Sequence, residues 1–81
     1  MKLSGVPNET AVRLDDLRIF LCNQITNSPY SQRDLAYSAN VSQSSITRYT
    51  RGEVDSPSLE WIVRVFKALG ISVDILLDFI Y

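Results

Sequence analysis

The stretch that most constrains this 81-residue chain is Ser31 to Arg51, SQRDLAYSANVSQSSITRYTR. Leu35, Ala39, Val41, Ile46 and Tyr49 are spaced so that two short helices, crossing steeply, bury all five against the rest of a domain. Ala36 is small enough to let the second helix approach the first closely. Asn40 falls where the chain must bend, and asparagine tolerates left-handed backbone. Ser31 and Ser42 each precede a helical run and can accept hydrogen bonds from the free amides at its start. Asp34, three residues after Ser31, comes close to completing a capping box and sits favourably at the positive end of the helix dipole.

The second helix, from about residue 43 to 49 or 50, has two faces. Ile46 and Tyr49 point inward with Val41, and Gln43, Ser44, Thr47 and Arg48 point outward with no acid among them. A glutamine, small hydroxyls and an arginine can hydrogen-bond base edges and phosphates in the major groove of DNA. An ordinary solvated face would be polar too, but the length of the motif and its turn are those of a groove-reading unit.

These residues resemble the Cro/repressor-type helix-turn-helix family of bacterial and phage regulators, the Xre-like group. The similarity continues through RGEVDSPSLEWIVRVFKALGISVDILL, with its arginine-glycine turn, proline-serine-leucine helix start and leucine-glycine-(apolar)-serine step, and covers roughly residues 12 to 79. The resemblance implies an all-α fold, a compact five-helix lambda-repressor-like domain with the motif at about 31–51. It also implies a double-stranded DNA partner and no cofactor. Gln32 stands where the family places a glutamine that touches phosphate and braces the recognition helix, with Arg33 beside it. Gln43 and Ser44 stand at base-reading positions, with Thr47 and Arg48 one turn further on. Ser42, Ser45 and Arg51 fall where phosphate contacts are common. One departure is Thr50, which occupies the place of a glutamate that many members pair with an arginine of the first helix. Leu21 or Cys22 stands at that arginine's site.

Length allows one domain with one core. Apolar residues make up 46% of the chain, a globular composition. No apolar run is long enough to span a bilayer and the first ten residues lack a signal-peptide core, so the expected location is cytoplasmic, without a membrane partner. Cys22 is the only cysteine and there is no histidine. A disulfide within the chain is therefore excluded, and a metal site is not expected. The net charge of −1 is unusual for a nucleic-acid binder. It is segregated, however: residues 33–51 hold three arginines and one acid, or +2, and the remainder holds five basic and eight acidic residues, or −3. A locally positive face on an acidic body can neutralise a few phosphates while resisting indiscriminate binding.

Residues 1–9, polar and carrying Gly5 and Pro7, read as a loose arm ahead of a domain over 10–81. Leu14, Leu17, Phe20, Leu21 and Ile25 predict an amphipathic first helix from Thr10 to Thr26. Asp15 and Asp16, adjacent and so on different faces, make a poor catalytic pair and read as solvated charges. After the motif, Gly52 suits a left-handed helix stop. Pro57 suits the first position of a fourth helix capped by Ser56, with Ser58 the alternative cap. That helix is expected to bury Leu59, Ile62, Val63, Phe66 and Leu69 and to end at Gly70. Trp61 and Val65 lie to one side, either lapping the core or lining a partner surface. Ser72 caps a last helix, VDILLDFIY, too apolar for one core-facing stripe.

Trp61, Val65, Ile75, Phe79, Ile80 and Tyr81 are accordingly the candidate homodimer face, and curling back onto the first helix is the alternative. No general base, activated nucleophile or phosphate loop is visible, so an enzyme is not expected. The reading is a transcriptional regulator, a repressor binding a two-fold-symmetric operator as a homodimer. The alternative is a protein-interaction module, such as an antitoxin or an antirepressor-like partner, that uses the apolar last helix to hold a second protein.

Overall fold

The computed structural model describes the backbone of residues 5–54 and 57–80, and the side chains of 15–54 and 57–79. The described residues form five α-helices and no strand: α1 Gly5–Asn27, α2 Gln32–Ala39, α3 Gln43–Thr50, α4 Leu59–Leu69 and α5 Leu77–Ile80. A 3-10 turn, Val73–Leu76, leads into α5. Helix α2 packs against α3 and α4, and α1 packs against α3 and α5.

The core draws on every helix before α5. Leu17, Leu21 and Ile25 of α1, spaced one turn apart, meet Leu35, Ala36 and Ala39 of α2, Ile46 and Tyr49 of α3, Ile62, Val65 and Phe66 of α4, and Leu76. No polar or charged side chain is buried among the described residues. Burial of Ala36 fits its small size, because a branched side chain there would wedge α2 away from its neighbours.

Local chemistry sets the boundaries. Ser31 and Ser42 cap α2 and α3 by accepting from the amides of Asp34 and Ser45 at 3.0 and 3.1 Å. Asn40, at φ 57°, closes α2 while the Val41 amide reaches back to the Ala36 carbonyl at 3.0 Å, a Schellman-type stop. Gly52, at φ 77°, does the same for α3, with the Glu53 amide on the Arg48 carbonyl at 2.9 Å.

Four expectations are corrected. Helix α1 begins at Gly5, so the arm predicted over residues 1–9 is helical from residue 5, and residues 1–4 lie outside the described residues. Pro7 falls in the first turn, where a missing N–H has no carbonyl to lose. Second, Ser58 is the cap of α4, accepting from the Trp61 amide at 3.1 Å, and Pro57 precedes it; Ser56 lies outside the described residues.

Third, the buried stripe of α4 runs through Ile62, Val65 and Phe66, with Trp61 and Leu69 at its margins. Val65, a candidate for the homodimer face, is fully buried, and Leu59, expected inside, is 62% exposed. Val65 follows Ile62 by three residues, so burying one brings the other onto the same face. Fourth, the last helix is interrupted. Its first turn is the 3-10 segment, with the Ile75 amide on the Ser72 carbonyl at 3.2 Å. Phe79 turns back onto Phe20 of α1, ring centroids 5.4 Å apart, and Ile75 also packs against the core. The exposed apolar side chains of this region are Val73 and Leu77 instead, and Tyr81 and the Ile80 side chain lie outside the described residues.

Candidate nucleic-acid interface

Helix α3 is held by its underside and displays the other. Ile46 and Tyr49 are buried, while Gln43, Ser44, Thr47, Arg48 and Arg51 line one hollow on the surface. Among the described residues, no side chain bonds or pairs with the Arg48 or Arg51 guanidinium. Gln43 and Ser44 lie in the first turn of α3, where the unpaired amides also carry positive partial charge.

Proton accounting narrows what each hydroxyl can do, because a serine or threonine has one proton to give and lone pairs to receive. Thr47 donates its proton to Gln32 Oε1 at 2.8 Å. It therefore offers an incoming base a lone pair and a methyl group, but no donor. The same bond fixes the Gln32 amide, whose NH2 then points away from Thr47 with both protons available to a phosphate. Ser42 and Ser44 share one bond, Oγ to Oγ at 3.3 Å. Whichever of the two donates, one proton of the pair remains for a DNA acceptor.

Ser45 is placed differently from its neighbours. Its proton goes to the Ser42 carbonyl at 2.6 Å, and its oxygen accepts from the indole N–H of Trp61 at 2.9 Å. A phosphate oxygen can only accept, so Ser45 reaches one only by giving up the Ser42 bond. Trp61, for its part, is half-buried with its ring against Tyr49 at 4.9 Å between centroids. Its indole N–H is thus engaged within the domain. Arg33 is exposed on α2, two residues after the cap.

The underside of α3 is kept neutral. Burial pushes the Cys22 thiol above its ordinary range, and Arg18 opposes that shift only partly. Burial, and then the nearness of Cys22, push the Tyr49 phenol far above its ordinary range, again against Arg18. Both groups stay protonated at neutral pH, so no buried negative charge sits behind the outward face of α3. The Cys22 thiol lies 4.0 Å from the Tyr49 carbonyl.

Two arginines escaped the sequence reading. Arg18 brings its guanidinium to the turn after α3: Nη1 would stand 3.3 Å from a Cβ placed on Gly52. Arg64 of α4 donates from Nη1 to the Asn40 carbonyl at 3.1 Å and from Nη2 to Glu60 at 2.7 Å. The Glu60–Arg64 spacing of four is visible in the sequence as a helix-surface pair. The reach to Asn40 is tertiary and leaves no local signal.

A sequence model of the helix-turn-helix family matches residues 30–76, which takes in α2, α3, α4 and the 3-10 turn. Comparison with curated proteins yields no significant match, and neither does comparison with solved structures. No described helix is long and apolar enough to cross a membrane.

Proposed function

The chain belongs to the helix-turn-helix family of Cro/C1-type DNA-binding regulators, and on that premise we propose that it is a repressor that lays α3 in the major groove of a two-fold-related operator as a homodimer. The observation that carries the reading is the outward face of α3. Gln43, Ser44, Arg48 and Arg51 meet in one hollow, with no acid there to repel phosphate. Arg48 and Gln43 are the side chains suited to bidentate contacts with guanine and adenine edges. Gln32, Arg33, Ser42 and Arg51 take the backbone contacts that fix register.

So small a face engages few phosphates, which favours two copies acting together on half-sites about one helical turn apart. The exposed apolar side chains near the C-terminus, Val73 and Leu77, are available to the second copy. Repression then follows from covering promoter DNA. The same apolar pair also favours the second reading, a domain that holds a different protein there.

Titration of labelled duplex with the purified chain, at two salt concentrations and with stoichiometry from sedimentation, tests the proposal. Two chains per bound duplex, with affinity falling as salt rises, support it. No binding even at low salt overturns it in favour of the protein-partner reading.

A further inference from the structure

Two side chains of helix α4, one turn apart, reach the turn before α3 and the first turn of α3 itself. Arg64 donates to the carbonyl of Asn40, and Glu60 holds the other arm of the guanidinium. Trp61 donates its indole N–H to Ser45, whose own proton goes on to the carbonyl of Ser42. Arg64 thus bonds the backbone just before α3 and Trp61 bonds its first turn at Ser45, so the entry into α3 is tied to α4 at two points. The indole ring packs against Tyr49 at a tilt of 49°, with centroids 4.9 Å apart.

The magnitudes separate this clasp from an ordinary stabilising contact. The Arg64 and Glu60 side chains are 39% and 73% exposed, and an exposed pair of that kind adds little to folding stability. Helix α3 has only eight residues, too few to hold a helical axis without its neighbours. Base-edge hydrogen bonds, in contrast, demand donors placed to within about half an ångström by supporting side chains. The bonds from α4 therefore matter more for where Gln43 and Ser44 point than for whether the domain folds.

We infer that Trp61 and Arg64 are positioning residues that set the angle at which α3 presents Gln43 and Ser44 to DNA. The inference rests on the DNA-binding reading above. Trp61→Phe keeps an aromatic ring against Tyr49 and removes the indole N–H. Arg64→Met keeps the stem and removes both donors, and Arg64→Lys restores one donor to Asn40. Each variant is measured for its affinity to a duplex selected by the wild-type protein, for its affinity to random duplex at the same salt, and for its thermal midpoint.

Trp61→Phe and Arg64→Met should each lower the selected-to-random affinity ratio about five- to tenfold, the worth of one lost hydrogen bond. Random-duplex affinity, set by phosphate contacts, should stay within about twofold. Arg64→Lys should recover most of the ratio. Because the chain has a single tryptophan, its indole proton gives one unambiguous resonance. That proton should be protected from exchange in the wild type and lose protection in Ser45→Ala.

Folded variants that keep the wild-type ratio overturn the inference. A fall in both affinities in parallel with the thermal midpoint also overturns it, since the bonds would then serve folding alone. A wild-type protein that enriches no sequence overturns the DNA-binding reading, and the inference with it.

Discussion

Gly52 and Gly70 share one backbone conformation, φ 77° and φ 76°, in different surroundings, and replacing each with alanine separates a conformational cost from a steric one. A side chain in the left-handed region costs roughly 1–2 kcal/mol. Alanine recovers about 0.4–1 kcal/mol of that by restricting the unfolded chain. The net expectation at Gly70, where a Cβ meets nothing within 4 Å, is a loss of about 1 kcal/mol.

At Gly52 the same Cβ comes within 3.3 Å of Arg18 Nη1, closer than ordinary contact. That neighbour is the far end of a flexible side chain that can swing aside. The added cost should therefore stay well under the roughly 1–3 kcal/mol of a rigid overpacked site. Urea titration at constant m-value and thermal unfolding measure both variants; a loss of 1 kcal/mol lowers the midpoint of a domain this size by about 4–8 °C. The two losses should agree to within about 0.5 kcal/mol. Asparagine at either site should cost less than alanine, as Asn40 already sits at φ 57°. A Gly52→Ala loss above about 3 kcal/mol would show that Arg18 is held rigidly against the turn, and a gain in stability at either site would refute the left-handed assignment.

Three further outcomes follow from the same geometry. Arg48→Ala should cost about 1–3 kcal/mol of binding and relax preference at one base pair if the guanidinium reads a guanine edge; equal loss across all sequences would mean that it holds phosphate. Ala36→Leu should destabilise the domain by about 1–3 kcal/mol by overpacking α2, measured by urea unfolding, and a neutral effect would show slack that the buried position does not suggest.

With no histidine in the chain, stability should be flat between about pH 6 and 8. Cys22 and Tyr49 both have raised pKa values in the folded state, so their contribution is complete below their unfolded values of about 8.5 and 10 and is lost as pH climbs through the folded ones. Thermal midpoints should thus fall on the alkaline side. Cys22→Ala should begin that fall at higher pH, and an unchanged profile would remove Cys22 from the explanation.

Much of the helix-turn-helix half was legible in the sequence because its signals are local. Ser31 and Ser42 announce two helix starts, Asn40 and Gly52 two left-handed stops, and Ile46 and Tyr49 the buried side of α3, each within a few residues of what it controls. Helix α4 was misread by one side-chain row. Leu59 and Val63 are as apolar as Val65, so periodicity alone could not choose among neighbouring stripes, and packing against α2 decided it.

The start of α1 was misplaced for a related reason. Gly5 and Pro7 read as breakers, yet proline is tolerated in a first turn. The interruption before α5 was invisible, because VDIL has the same apolar pattern in a 3-10 turn as in an α-helix. The bonds from Arg64 to Asn40 and from Trp61 to Ser45 span 24 and 16 residues, beyond the reach of any pattern in a short window.

The most direct test of the central claim is selection and sequencing of bound fragments from random duplex DNA, run in parallel with the wild-type protein and Gln43→Ala at a stated salt concentration. The account predicts a short two-fold-symmetric motif for the wild type, with half-sites about one helical turn apart, and a motif altered at one position of each half-site for the variant. Identical motifs from the two proteins would contradict the assignment of Gln43 as a base reader, and no enriched motif from the wild type would contradict sequence-specific recognition by α3 altogether.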